Sequence, residues 1–362
     1  MSLALLFDDY TLRTVALGAV ALGIVSGSLG TFAVLRRQAL VGDAVSHAAL
    51  PGIVLAYVVL GTKSSLWLMV GAAIAGFVAI LLVGAVVRTT RVKSDAALGI
   101  WLAVFFGIGL VLLTWIQGRP DASQAGLDRF LFGQAATVLR EDVWTIAIVG
   151  ACALAVVVAL WKQLKLLAFD PDYGATLGLP MRAIEVVLTG LLVVAIVVGL
   201  QMVGAVLMSA MIVAPATAAR QWTHRLGAMT IAAAGMGALA GLVGAVASAE
   251  ADRLPTGPTI VLVATLLVVA SLLLGPRGIL VRGLRERRAR SGLGEHVVLA
   301  DLLALERLHG GPHPHEAATV TALVEADATG VLTSLERRGL VRRDPEGRWA
   351  LTDRGREAAT RR

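Results

Sequence analysis

From Thr11 to Leu274 the chain is a succession of apolar runs of roughly 18 or more residues separated by short polar breaks, and this restricts the fold more than any motif does. An α-helix rises about 1.5 Å per residue, so each run reaches across the roughly 30 Å hydrocarbon core of a bilayer. With no water there, every backbone N–H and C=O needs a partner inside its own segment, which leaves helices for runs this continuous. The candidate spans are Thr11–Leu35, Gln38–Leu60, Ser65–Val87, Ala97–Trp115, Trp144–Trp161, Ala183–Leu200, Met202–Ala219, Gly227–Ala249 and Thr259–Leu274, about nine in all. Asp8 and Asp9 give the N-terminus the wrong charge for a cleaved signal, so the first span is expected to be retained.

Composition agrees with this reading. Hydrophobic residues make up 57% and charged residues 16%, against about a quarter charged in soluble domains, which excludes a soluble enzyme domain and a disordered chain. The single cysteine, Cys152, lies within an apolar run; it excludes a disulfide framework and is expected to serve packing. The net charge of +7 is unevenly placed: before Pro276 the basic residues are brief interruptions, whereas the segment after it is rich in Arg, Glu and Asp. We therefore expect a membrane domain at 1–276, a basic linker at 277–292 and a water-exposed domain at 293–362.

Lys and Arg favour cytoplasmic connections. One alternating set of connections holds Arg36 and Arg37, then Arg88, Arg91 and Lys93, then Lys162, Lys165 and Arg182, then Arg220 and Arg225, and last the Arg-rich stretch from Arg277 to Arg290. The other holds Lys63, a loop where Arg119, Arg129 and Arg140 are balanced by Asp121, Asp128, Glu141 and Asp142, and a segment with Glu250, Asp252 and Arg253. With nine spans, this predicts a multi-pass cell-membrane protein with its N-terminus outside and its C-terminus in the cytoplasm. No G-x-x-x-x-G-K-S/T run occurs, so the chain carries no P-loop of its own and is not expected to be an enzyme; any ATP-derived power must come from a partner.

Ionisable side chains cost roughly 2.5 to 3.5 kcal/mol or more near the bilayer centre, so each one inside a span is a functional candidate. The foremost is the pair Asp43 and His47 in Gly42-Asp43-Ala44-Val45-Ser46-His47. Residues at i and i+4 share a helix face, and a span starting near Arg37 brings His47 close to the bilayer midplane. Carboxylate and imidazole together suit a first-row divalent ion. The alternative is structural: Asp43 as a helix N-cap and His47 as a hydrogen-bonded core residue. Pro51 and Gly52 would loosen the helix beyond the pair and free backbone groups to line a cavity.

The run Leu-Arg-Arg-Gln-Ala-Leu-Val-Gly-Asp-Ala-Val-Ser-His-Ala-Ala-Leu-Pro-Gly, ending at Gly52, resembles the signature of the permeases of manganese, zinc and iron(II) ABC transporters. Further stretches resemble the same family in order: Lys93 to Ile100, Leu131-Phe132-Gly133, Phe169-Asp170 through Gly178-Leu179-Pro180, Val203 to Leu207 through Pro215 to Ala218, and Pro255 to Pro258. The likeness covers about residues 10 to 276. It implies an all-α polytopic fold like that of type II importers, with Asp43 and His47 as metal ligands along the path of a transported manganese, zinc or iron ion, and no permanently bound cofactor. It also implies an extracytoplasmic metal-binding protein, a second permease subunit, identical or homologous, and a cytoplasmic ABC ATPase dimer as partners. A cobalamin or iron-chelate permease is the nearest competing cargo class, but so large a cargo has no need of a ligand pair at the midplane. Two ligands are few for a metal that prefers four to six, and a two-fold permease dimer would supply four.

Between the fifth and sixth spans, Asp170 before Pro171 reads as an N-cap and first-turn proline, and Gly178 and Pro180 end the segment. A short surface helix is expected; in the resembled family this position couples to the ATPase, which would give that role to Phe169, Asp170 and Gly178.

After the basic linker, which also suits anionic lipid head groups, helical periodicity covers Glu295–Leu308, Ala317–Glu325 and Ala328–Arg338 with Asp327 as N-cap, followed by a strand, an Asp-Pro-Glu-Gly turn and a strand within Gly339–Thr352. Three helices and a hairpin make a small C-terminal winged helix-turn-helix, similar to the DNA-binding part of diphtheria-toxin-repressor-like regulators. Acidic residues nearly offset the basic ones after Gly292, so DNA is not expected among the partners; a regulatory or assembly role is. His309, His313, His315 and Glu316 are candidate cytoplasmic metal ligands, with an exposed Pro- and Gly-containing loop as the other reading. The competing function for the whole chain is a membrane-bound metal-responsive transcription regulator.

Overall fold

Small residues bring the first helix into the middle of the membrane unit. Helix α1 (Tyr10–Leu35) buries Gly18, Gly23, Gly27 and Gly30, and against it runs α10 (Leu226–Glu250), rich in Gly and Ala. A methyl group on Gly23 would land on the Gly237 carbonyl oxygen, and one on Gly237 would land on that of Gly23. In lipid, where apolar side chains gain little by leaving one apolar medium for another, such close backbone approach is what holds helices together.

The computed structural model describes residues 10–61, 64–117, 139–250, 254–276, 278–311, 313–317, 319–320 and 329–360, with side chains except at 206 and 282–295. The chain divides into two compact units, 1–277 and 278–362. In the first, α1 is followed by α2 (Val41–Leu60), α3 (Ser65–Thr89), α4 (Ser94–Gln117), α5 (Arg140–Ala159), α6 (Trp161–Phe169), α7 (Pro171–Thr176), α8 (Met181–Val203), α9 (Ala205–Arg220), α10 and α11 (Thr256–Leu274). Helix α1 is mostly buried, whereas α3, α4 and α5 keep most of their apolar surface outside, as helices facing lipid or another subunit do.

Among the described residues eight helices are long and apolar enough to cross a membrane, one fewer than expected. The exception is α9, 16 residues, or about 24 Å, in place of the expected span Met202–Ala219. Its cause is Gly204, whose φ of 89° ends α8 and restarts the chain as α9 within one residue. Helix α2 begins at Val41 rather than Gln38, because Arg37 adopts a left-handed φ of 57° in the turn leaving α1. It then runs unbroken through Pro51, and Gly52 serves close packing on Gly71 of α3 rather than a loosened segment. Cys152, expected to pack, is exposed, because α5 turns Ile146, Gly150, Ala153 and Val157 inward instead. The Leu131-Phe132-Gly133 motif and most of its loop lie outside the described residues, as do Lys63, Asp252 and Arg253.

In the second unit α12 (Ile279–Leu308) precedes α13 (Thr329–Arg337), strands β1 (Val341–Arg343) and β2 (Trp349–Leu351), and α14 (Asp353–Thr360). The stretch read as a linker is therefore the first half of α12; its Arg, Glu, Leu and Ala are strong helix formers. The strands pair antiparallel with Val341 opposite Leu351 and Arg343 opposite Trp349, closed by a turn at Asp344. Val298, Leu302, Val320, Leu332, Leu335, Val341, Trp349 and Leu351 form the core. Buried Glu306 on α12 accepts from Arg356 of α14 at 2.9 Å, an element the sequence reading had not anticipated. Of the helix expected at Ala317–Glu325, residues 317, 319 and 320 are helical; 321 to 325 and Asp327 lie outside the described residues.

Candidate metal centre and its surroundings

The first two turns of α2 gather the polar groups. Leu40 occupies the N-cap position without a side-chain cap, so Asp43 is a first-turn residue and not the cap. A carboxylate there meets the positive end of the helix dipole. The Asp43 Oδ1 stands 3.4 Å from His47 Nε2, with the carboxylate 37% and the imidazole 18% exposed. The His47 ring meets Phe106 of α4 edge-on at 4.8 Å between centroids. Ser46 Oγ and His47 Nδ1 are both buried without a hydrogen-bond partner. Gly42 lets α9 approach: a Cβ on it would lie 3.2 Å from Ser209 Cα. His47 thus packs against α4, while α9 approaches α2 at Gly42, one residue before Asp43. Starting at Val41, α2 carries His47 only about 9 Å along its axis, nearer the helix start than the midplane position expected. Among the described residues, no group of three or more His, Cys, Asp or Glu is already assembled to hold a metal ion.

One charged residue escaped the sequence reading. Glu185, near the start of α8, pairs with Arg36 at the end of α1. Its signal was available: it is the lone acid in a long apolar run.

At the α6–α7 corner, Asp170 Oδ1 accepts from the Tyr173 backbone N–H at 2.9 Å and Pro171 takes the first helical position, as the residue order dictates. Gly178 has a φ of 78°, open space around it, and ends the segment. Phe169, Tyr173 and Leu177 are each more than half exposed.

In the second unit, the three histidines come together: ring centroids lie 5.6 Å apart for His309 and His313, 5.3 Å for His309 and His315, and 5.8 Å for His313 and His315. Glu316 is exposed, and its charge acts on Arg348.

The sequence profile described as the ABC 3 transport family matches residues 8–275. The chain belongs to the ABC 3 transport family. Family members similar to it include the zinc transport system membrane protein TroC of Treponema pallidum (strain Nichols), 50% identical over 78% of this chain and 95% of that protein. The manganese transport system membrane protein MntC of Bacillus subtilis (strain 168) is 38% identical over 93% of this chain and 78% of that protein, a match that must reach into the second unit. Among solved structures, PsaBC from Streptococcus pneumoniae in complex with Fab aligns with a TM-score of 0.67 and 29% identity, covering 76% of this chain and 96% of the matched one. These relatives of the ABC 3 transport family are membrane components of transport systems, so the alternative of a membrane-bound transcription regulator has no support from them.

Proposed function

We propose that the chain is the membrane-spanning permease subunit of an ATP-driven importer of divalent transition metal ions, with Asp43 and His47 lining the ion path. The cargo reading draws on relatives named for zinc and for manganese transport; iron(II) remains a cargo the same ligands suit. The observation that carries the site is the coincidence, on one face of α2, of a carboxylate, an imidazole and two buried polar atoms without partners. A buried polar atom left unpaired costs about 1 to 3 kcal/mol, and an arriving cation with its remaining waters would relieve that cost at His47 Nδ1 and Ser46 Oγ. The Asp43 carboxylate lies on the Nε2 side of His47, which leaves Nδ1 as the ring nitrogen to face the ion. Phe106 walls one side and limits how much hydration the ion retains.

One chain offers too few ligands to trap an ion, which favours passage over storage, and the equivalent pair of a second permease would complete a transient site at the two-fold axis. Power comes from a cytoplasmic ABC ATPase dimer, docked at the row Phe169, Tyr173 and Leu177 and held in shape by Asp170 and Gly178. An extracytoplasmic metal-binding protein delivers the ion. The basic connections face the cytoplasm, with α9 as a short ninth crossing, so the N-terminus lies outside and the C-terminal unit inside. We read that unit as a winged-helix-like domain with a regulatory or assembly role. The test is radioactive manganese and zinc uptake by Asp43→Ala and His47→Ala chains of normal membrane abundance. Wild-type uptake by the double variant would remove the pair from the path.

A further inference from the structure

The C-terminal unit holds a second constellation that permeation does not use. We propose that His309, His313 and His315 form a three-imidazole site for a divalent transition ion of the zinc type, with water in the remaining position.

Spacing is the first argument. A metal bound about 2.0 to 2.1 Å from an imidazole nitrogen lies about 3.2 Å from the ring centroid, and two such rings at a tetrahedral angle have centroids about 5.2 Å apart. The observed separations of 5.3, 5.6 and 5.8 Å are within about 0.6 Å of that value. As they stand the three are not assembled: the exposed His309 and His313 rings are stacked with 17° between their planes, so one of them must rotate for the lone pairs to converge on an ion.

Protonation is the second. His309 Nδ1 donates to the Leu305 carbonyl at 2.9 Å, which leaves the lone pair on Nε2, the arrangement that fixes ligating histidines elsewhere. His315 is 7% exposed, and its Nε2 is buried with no hydrogen-bond partner. The buried Glu306 carboxylate of α12 is committed to Arg356.

Anchoring is the third. The His315 backbone is bridged to Trp349 by reciprocal N–H···O bonds of 2.8 and 2.7 Å, and His309 caps the C-terminus of α12, whose dipole favours a cation. A bound ion would therefore tie the end of α12 to the hairpin. Three imidazoles select zinc, cobalt or nickel over calcium and magnesium, which need oxygen ligands.

The site stands apart from the permeation reading, and its test is made so. Full-length protein carrying Asp43→Ala and His47→Ala, in lipid nanodiscs, is titrated with Co(II) and followed by visible absorption and elemental analysis. The expected result is one cobalt per chain with the intense bands of a tetrahedral ion, weakened at least about 10-fold by adding His309→Ala and His313→Ala. Equal metal-free hydrogen exchange across 341–351 in both proteins shows the fold intact, and cobalt should slow exchange at His315 and Trp349 only where the histidines remain. No bound cobalt in the parent protein, or cobalt retained without the two histidines, overturns the proposal.

Discussion

Asp43 and His47 face one another because four residues of helix return a side chain to the same face, and their contribution should be visible separately. His47→Ala removes the imidazole and is expected to lower metal uptake at least about 10-fold, while Asp43→Asn, which keeps the size but not the charge, should lower it less at high external metal than at low. Uptake rate against metal concentration distinguishes the two; equal loss at all concentrations would count against a binding role for Asp43. The pair was legible in the sequence because ionisable residues are rare inside apolar runs. Phe106 was not, since an aromatic in a span looks the same whether it meets lipid or a histidine, and neither were the unpartnered atoms of Ser46 and His47, which only packing reveals.

Elements differ in what they tolerate. Along the α1–α10 seam backbone meets backbone, so Gly23→Leu must force the helices apart, costing about 1 to 3 kcal/mol or more; lowered expression and melting temperature in detergent should follow, and an unchanged melt would refute the seam. At the α6–α7 corner the expected outcome of Gly178→Trp is loss of ATPase stimulation or of complex assembly, because a bulky residue at φ 78° is strained even in open space. In the β1–β2 hairpin, burial pushes the Asp344 carboxyl up. Hydrogen bonds from the Arg348 backbone and side chain, the Arg348 charge and the Glu346 backbone N–H outweigh it and hold the group below the ordinary carboxylate range. A carboxyl whose folded pKa lies below its unfolded value of about 3.9 stabilises above that value and ceases to as pH falls through the folded one. Hairpin amides should therefore lose exchange protection, beyond the intrinsic pH effect, only below about pH 4; in Asp344→Asn they should be less protected at neutral pH and show no such acid step. This turn was readable from Asp-Pro-Glu-Gly. Helix α14 was missed because its short, charged sequence has no apolar periodicity, its anchor being the Arg356–Glu306 pair with a residue 50 positions away.

For the whole molecule, the chain divides into two compact units after Arg277, and a chain ending there is expected to assemble with its partners and to transport at an unchanged or raised rate in liposomes loaded with internal metal. Loss of transport in a truncated complex that still assembles would show the C-terminal unit to be part of the core mechanism. Span positions were legible from hydropathy, but the shortness of the seventh was not, because hydropathy is blind to a single residue with positive φ. That residue, Gly204, has a consequence for how the chain can change length. An ordinary loop absorbs an inserted amino acid, but here one helix hands over to the next with nothing between them. An extra residue would turn α9 about 100° and advance it about 1.5 Å, swinging Ser209 away from Gly42 and Ile212 away from Gly30. The joint is thus a fixed phase between two rods: substitutions can be accommodated around it, whereas insertions and deletions cannot.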